Sequence, residues 1–265
     1  MKKSALLAVS ALLAAAPVLA SDVAGSNVFG LLTVLSKSTD TIVAVPWCEC
    51  STNDNQAIAI SNIVKTANLT AGDKLAALST NGVYLNTWTL RSGTDSVLYW
   101  ESDKTVVESG VTDTTIAADK TFAARGTAIL LHRQSPTNSV GEANAFYLYG
   151  QVGTTPTVTS TIENAGASAT TPVYTLIAPP NTTNVNVVSA LTSPVSGDSI
   201  VVRNLQGIAR TYTYNGSDWT YRARPDSATE TIASTINISA GTGAWYVSRN
   251  SERKPTIMWS GVPQK

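Results

Sequence analysis

Few residues in the sequence could carry metal or nucleophilic chemistry. The chain has one histidine, His132, and two cysteines, Cys48 and Cys50, which a single residue separates. Because a zinc site needs about four ligands, the cysteines have three interpretations: an intramolecular disulfide, free or intermolecular thiols, or part of an incomplete metal site. A disulfide that closes so small a ring is often strained. The pair is a candidate disulfide, and the sequence predicts neither a metal nor a cofactor.

The remaining polar residues form no recognisable catalytic set. His132 ends the apolar run 129–131, and no Gly-x-Ser-x-Gly elbow accompanies it, so a structural histidine at a strand end is expected rather than a triad. Paired carboxylates could hydrolyse sugars without histidine. The most polar stretch, residues 101–120, supplies the candidates Glu101, Asp103, Glu108, Asp113 and Asp119. Lysines lie among them, which is typical of a solvated loop or edge strand. We therefore expect the protein to be non-enzymatic.

Aromatic side chains are the best candidates for binding a ligand. Tyr212, Tyr214, Trp219 and Tyr221 alternate along the two arms of one hairpin, and a period of two places the first two on one face of their strand. Exposed rings could stack on sugars, whereas buried rings would form cross-strand pairs. Both interpretations stay open at this point.

An apolar segment near the N-terminus, residues 28–35, is the second candidate. Its apolar members are Val28, Phe29, Leu31, Leu32, Val34 and Leu35. The simpler interpretation is the first strand of the first domain. The alternative is a donor strand that completes a neighbouring subunit by β-strand addition, with residues 21–27 giving it reach.

Short apolar runs must position these residues. Runs such as 42–45 and 174–177 are bounded by Gly, Pro, Asn, Asp or Ser, which is strand-and-turn punctuation. Asn81-Gly82 and Asn215-Gly216 indicate hairpin turns. Helical periodicity is scarce and is best at 58–64, where it predicts one or two turns. The sequence therefore predicts an all-β protein of short, mostly antiparallel strands.

Similar features recur in the same order in the two halves of the chain. The first half has Val45-Pro46, Gly72-Asp73, Tyr84 with Trp88, Arg133 and Tyr149. The second half has Ala178-Pro179, Gly197-Asp198, Tyr214 with Trp219, Arg249 and Trp259. This order predicts an internal duplication: two tandem sandwich-like or barrel-like domains at 21–152 and 173–265. A linker rich in Thr, Ser and Ala joins them at 153–172.

The first twenty residues have the three parts of a secretory signal peptide. Lys2 and Lys3 precede an apolar run, and the small residue Ala20 ends the segment before Ser21, as at a cleavage site. The run is too short to span a bilayer, which needs about 20 residues. We expect a soluble mature protein that is secreted or at the cell surface, with the periplasm as an alternative. The 18 basic and 18 acidic residues cancel, which argues against a nucleic-acid partner.

The layout resembles a group of uncharacterised secreted bacterial proteins. Those proteins have a signal peptide and two copies of a β domain of about 100 residues. The resemblance rests on the Tyr/Trp hairpin at 212–219 and on the Gly-rich turn and apolar strand at 239–247. It covers nearly the whole mature chain and implies location and architecture, with no catalytic residues.

Together these patterns predict a non-enzymatic secreted or cell-surface structural protein. Its mode of action would be self-assembly into filaments or a layer by β-strand addition, so its partner would be a second copy of itself. The alternative is a carbohydrate-binding or adhesion module that uses the Tyr/Trp hairpins, with an extracellular glycan as its partner.

Overall fold

The computed structural model describes residues 29–35, 39–46, 57–65, 68–78, 84–103, 107–108, 111–112, 122–134, 145–151, 157–204, 207–223 and 229–260. These residues form twenty-three strands and two one-turn helices. Every strand pairing among them is antiparallel. The prediction of an all-β protein is confirmed.

The first set of elements lies between residues 29 and 151. It comprises β1 (Phe29–Leu35), β2 (Asp40–Ala44), β3 (Ala57–Ala59), α1 (Ile60–Ile63), β4 (Val64–Lys65), β5 (Lys74–Leu78), β6 (Tyr84–Ser92), β7 (Leu98–Ser102), β8 (Val107–Glu108), β9 (Val111–Thr112), β10 (Phe122–Ala124), β11 (Ala128–His132) and β12 (Ala145–Gln151). They build a small sheet of order β1-β12-β4, a large sheet of order β2-β11-β5-β6-β7, and the pairs β10-β3 and β8-β9.

The second set of elements lies between residues 158 and 259. It comprises β13 (Val158–Thr161), β14 (Val173–Ile177), β15 (Val185–Asn186), α2 (Val187–Ala190), β16 (Leu191–Thr192), β17 (Ser199–Arg203), β18 (Ala209–Tyr214), β19 (Trp219–Arg222), β20 (Glu230–Ile232), β21 (Asn237–Ile238), β22 (Ala244–Ser248) and β23 (Thr256–Trp259). They build a small sheet of order β13-β23-β16, a large sheet of order β14-β22-β17-β18-β19-β20, and the pair β15-β21.

Each set packs its small sheet on its large sheet around its own core. In the first set, Val34 and Phe146 of the small sheet join Trp88 of the large sheet in one buried cluster. In the second set, Trp259 of the small sheet joins Tyr246 of the large sheet. Burial alternates along the strands because successive side chains point to opposite faces of a sheet, and only one of these faces is covered by the other sheet. We call the two bodies the first and second units.

The strand pairings show which aromatic residues hold matching positions in the two large sheets, and these matches differ from the order of aromatic residues in the sequence. Trp88 lies opposite Leu75, the place that Tyr212 holds opposite Ile200. Trp219 lies opposite Tyr214 as Trp100 lies opposite Leu90, so its position in the large sheet matches that of Trp100 and not that of Trp88. Matching of aromatic residues by sequence order missed this because β6 is longer than β18.

The predicted linker at 153–172 is in part a strand. Residues 158–161 form β13, which pairs with β23 along its whole length. Ile162, directly after it, is fully buried in the second core. Thr159 and Thr161 of this strand face outward, whereas Ser160 faces inward and accepts a hydrogen bond from Trp259 Nε1 at 2.8 Å. This is the pattern of an edge strand with one buried face. The second unit therefore begins before residue 173.

Two glycine turns join the units reciprocally. Gly126 of the first unit has φ +82, and a Cβ there would lie 2.5 Å from Val158 Cγ1 of the second. Gly241 of the second unit has φ +72, and a Cβ there would overlap Val34 Cγ2 of the first. The Gly241 carbonyl also accepts a hydrogen bond from the Ala44 N–H at 3.0 Å. Only glycine combines this backbone conformation with so close an approach.

Candidate functional site

A buried aspartate follows a left-handed glycine at the same point of each unit. Gly72 and Gly197 have φ values of +99 and +94. Asp73 and Asp198, which follow them, are 1% and 0% exposed. A buried carboxylate is tolerated only when hydrogen-bond donors surround it, so the partners of these two residues show what the turn does.

Asp198 connects the start of β17 to the end of β22. Its carboxylate accepts hydrogen bonds from the Val195 N–H at 3.1 Å, the Arg249 N–H at 3.0 Å and the Tyr246 hydroxyl at 2.7 Å. Val195 precedes β17, Arg249 directly follows β22, and Tyr246 lies within β22. Charge-assisted hydrogen bonds of this kind are among the stronger ones in proteins, so Asp198 fixes the register of two core strands.

Asp73 makes the same connection in the first unit with different donors. Its carboxylate accepts from the Thr70 N–H at 3.0 Å and the Gln134 N–H at 2.9 Å, and from the Thr70 hydroxyl at 3.3 Å. The threonine hydroxyl takes the role that Tyr246 has in the second unit. The sequence marked the Gly-Asp turns only as repeated features, and both aspartates are structural.

Burial and the neighbouring Asp198 carboxylate raise the pKa of Tyr246 above its usual range. The phenol therefore stays neutral in the folded protein at a pH where it ionises in the unfolded chain. Since the unfolded state then binds fewer protons than the native state, stability falls as pH rises above about 10. Below that pH the contribution of the phenol is fully present.

Tyr246→Phe is expected to reduce the dependence of stability on pH in the alkaline range. Near neutral pH the variant should lose about 1.5–3 kcal/mol, because a hydroxyl bond to a charged acceptor is removed. Above about pH 10 the loss should shrink by about 1.4 kcal/mol per pH unit, since phenylalanine does not titrate. Urea unfolding at a series of pH values measures both effects. An unchanged alkaline slope in the variant would contradict this account.

His132 lies at the end of β11, as the sequence predicted. Its Nδ1 is 2.7 Å from Asp40 Oδ1 of β2, and its other cross-strand neighbour is Lys74 of β5. The His132 and Asp40 side chains are 47% and 39% exposed. A contact so exposed contributes little to stability, and it is a surface hydrogen bond on the outer face of the large sheet.

Two of the candidate carboxylates form ion pairs on that outer face. Asp103 accepts from Thr89 Oγ1 at 2.6 Å and lies 3.5 Å from Lys74 Nζ. Glu101 lies 2.9 Å from Arg91 Nε. Asp113 and Asp119 and the side chain of Glu108 lie outside the described residues. Glu101 and Asp103 are therefore each engaged by a cation.

The four candidate aromatics pack in pairs across the β18–β19 hairpin. The rings of Tyr212 and Tyr221 are 5.5 Å apart and those of Tyr214 and Trp219 are 5.4 Å apart, centroid to centroid. Trp219 is 4% exposed and belongs to the second core, and the three tyrosines are half-buried against it. Burial prevents Trp219 from acting as a platform for a ligand. Asn215 begins the tight loop of this hairpin, as predicted.

An open groove of about 950 Å³ lies beside this hairpin. Residues of β18, β19 and β20 and of the turn before β17 line it, with both apolar and polar groups. Glu230, one of the lining residues, accepts from Thr220 Oγ1 at 3.0 Å and from Arg222 Nη2 at 3.3 Å. Arg210 stacks on Tyr221, with its Cζ 4.9 Å from the ring centroid. We call this the hairpin groove.

The first unit has a smaller groove at the corresponding place, of about 630 Å³. Its charged lining consists of Lys74, Arg91, Glu101 and Asp103, which are the two ion pairs described above. Gln134 lies against Gly72 at its rim, where a Cβ on the glycine would be 2.5 Å from Nε2. The positive and negative charges that line this groove therefore balance one another.

The candidate donor strand is β1, and it pairs within its own chain. It runs beside β12 from Phe29 opposite Gln151 to Leu35 opposite Ala145. Val34 is buried at 2% exposure, whereas Leu31 on the other face is 63% exposed. Leu32 packs partly against the first core. Val28 and the side chains of Phe29 and Leu35 lie outside the described residues.

Other sequence-based candidates also lie outside the described residues, namely Cys48, Cys50 and the segment 21–27. Within the described part of the chain, His, Cys, Asp and Glu form no group of three or more that could hold a metal ion. No helix there has the length and apolar character needed to cross a membrane.

Comparisons of the chain with protein family models, with curated proteins and with solved structures found no match.

Proposed function

We propose that the protein is a non-enzymatic structural subunit that is exported through its signal peptide and assembles with copies of itself. Exchange of β1 between neighbouring subunits is the proposed contact. The observation that carries this proposal is the place of β1 in the fold. It is the outermost strand of its sheet, it lies at the N-terminal end of the described chain, and it covers part of the first core.

The sheet that β1 completes suits strand exchange. All seven residues of β1 pair with β12, so a copy of β1 from another subunit can make the same backbone hydrogen bonds. Residues 36–39 alone separate β1 from β2. Short connections of this kind favour exchange of a terminal element between chains. The buried Val34 and the half-buried Leu32 would give the contact its side-chain specificity.

We further propose that the chain contains two copies of one ancestral β unit. The order of the small sheets, the order of the large sheets, the one-turn helices and the Gly-Asp turns all support it. In this interpretation β13 is the counterpart of β1.

A reversible disulfide between β1 and β12 tests the exchange. Leu31 and Tyr149 are direct cross-strand neighbours, at a Cα separation that a disulfide can bridge. In a Cys48→Ser/Cys50→Ser background, Leu31→Cys/Tyr149→Cys oxidised as a dilute monomer should stay monomeric at high concentration. Reduction should restore assembly, as measured by light scattering and negative-stain microscopy of residues 21–265.

A matched lock in the second unit controls for the disulfide itself. Thr159 and Met258 are the outward-facing pair of β13 and β23. Thr159→Cys/Met258→Cys in the same background should assemble equally well when oxidised and when reduced. Assembly of the oxidised Leu31–Tyr149 protein, or a monomer under every condition, would refute exchange of β1.

A further inference from the structure

The outer face of the second large sheet carries a row of directly opposed residues that crosses all six strands. From β14 to β20 its members are Tyr174, Val247, Ser199, Thr213, Thr220 and Ile232. Ile200 and Tyr246, their sequence neighbours, belong to the second core, so the six side chains point away from that core. We call this row the outer ladder. Five strand spacings of about 4.8 Å make it about 24 Å long.

The corresponding row of the first unit is charged. From β2 to β7 its members are Asp40, His132, Lys74, Thr89 and Glu101. Lys74 and Ser199 each follow the aspartate of a Gly-Asp turn, which fixes the correspondence. Four of these five side chains are acidic or basic, as is usual for a solvated face. The outer ladder instead presents aromatic, hydroxyl and aliphatic groups on the same kind of surface.

Two aromatic rings form the β14 end of the outer ladder. Tyr174 is 37% exposed. The half-buried Trp245 lies on the same face, with its ring centroid 6.1 Å from that of Tyr174 and the ring planes at 87°. In the described part of the chain, no hydrogen bond engages Tyr174 Oη or Trp245 Nε1. The pair can therefore contact the apolar face of a sugar ring and also bond its hydroxyls.

Hydroxyl groups form the middle of the outer ladder. Ser199 Oγ and Thr213 Oγ1 are 3.3 Å apart, and Thr220 Oγ1 donates to Glu230 at 3.0 Å. Thr213, the exposed member of the three, lies between the other two. Glu230 is also paired with Arg222, so the charges beside the ladder balance. The hairpin groove lies over this part of the sheet, since Thr213 and Thr220 are among its lining residues.

We propose that the outer ladder binds an extended neutral polysaccharide of β-1,4-linked sugars that lies across the strands. The aromatic pair contacts the sugar rings, and Thr213 exchanges hydrogen bonds with sugar hydroxyls. A neutral chain fits because no member of the ladder is acidic or basic, and an unpaired charge on the ligand would lose water without gaining a partner. An extended chain fits because the ladder crosses six strands in one row. The site is independent of the proposed exchange of β1, which belongs to a small sheet.

Binding of a defined oligosaccharide tests the site. The probe is cellohexaose, with a hexamer of galacturonic acid as the acidic comparison, and isothermal titration calorimetry measures both on residues 21–265. We expect binding of cellohexaose that does not change as salt is raised, since no ion pair forms. Binding of the acidic hexamer should be at least tenfold weaker.

Two tyrosine variants separate the outer ladder from the rest of the surface. Tyr174→Ala should weaken binding of cellohexaose at least tenfold. Tyr99→Ala removes a tyrosine that is 48% exposed on the outer face of the first large sheet, and it should leave binding unchanged. Thr213→Val keeps the shape of the side chain without the hydroxyl and should weaken binding about two- to tenfold. Thermal unfolding confirms that the variants are folded.

Four outcomes would each overturn the proposal. Three are absence of cellohexaose binding, equal or tighter binding of the acidic hexamer, and equal losses in the two tyrosine variants. The fourth is a Tyr174→Ala protein that binds cellohexaose normally but associates less with itself in light scattering. That result would identify the outer ladder as a contact between copies of the chain.

Discussion

Replacing Gly241 with alanine is expected to lower the free energy of unfolding by about 2–5 kcal/mol. Two costs add at this position. A φ of +72 is unfavourable for a residue with a Cβ, and the new methyl group would overlap Val34 and press on Leu32 and Leu148 of the first unit. The clash involves branched side chains packed in a core, which cannot move aside without opening it.

Gly166→Ala is the matched control for this prediction. Gly166 has a φ of +75, close to that of Gly241, but no atom lies within 4 Å of where its Cβ would be. Its replacement should therefore lower the free energy of unfolding by about 1–2 kcal/mol, which is the cost of the positive φ alone. Urea unfolding of both variants measures the difference, which isolates the contact between the units. Equal losses in the two variants would show that the Gly241 turn does not pack against the first unit.

Asp198→Ala is the second substitution with a large expected effect. It leaves the Tyr246 hydroxyl and the N–H groups of Val195 and Arg249 without their acceptor in a buried site. A buried donor without a partner costs about 1–3 kcal/mol, so the expected loss is about 3–6 kcal/mol. The strand ends that Asp198 connects should also lose protection against amide hydrogen exchange.

Asp218→Ala provides the comparison for Asp198. Asp218 is exposed in the loop between β18 and β19, and surface substitutions of this kind usually change stability by less than about 0.5 kcal/mol. Urea unfolding and hydrogen exchange of the two variants should differ accordingly. If the Arg249 amide keeps its protection in Asp198→Ala, the connection between β17 and β22 does not depend on this carboxylate.

Local sequence signals predicted the elements of this fold well. Apolar alternation located strands such as β11 and β22, and Asn215-Gly216 located the β18–β19 hairpin. The weak helical signal at 58–64 corresponds to the single turn α1. Each of these depends on residues within one or two turns of backbone, where propensity and turn chemistry act directly.

Features that depend on distant parts of the chain could not be predicted in this way. The composition of 153–172 indicated a linker because the partner of β13, β23, lies about a hundred residues later. The exposure of the Tyr/Trp hairpin was likewise undecided, since Trp219 is buried by residues from other strands.

The pairing of β1 with β12 has a mechanical consequence. The first residue of β1, Phe29, lies opposite the last residue of β12, Gln151, and Val158 of β13 lies opposite Trp259 of β23. The two ends of each unit therefore leave from the same end of one antiparallel pair. Tension applied between them breaks the hydrogen bonds of that strand pair one after another. It does not load all of them together in shear. A string of such units would yield at low force along its own chain, so the resistance of an assembly to pulling must come from contacts between units, such as the Gly241 turn.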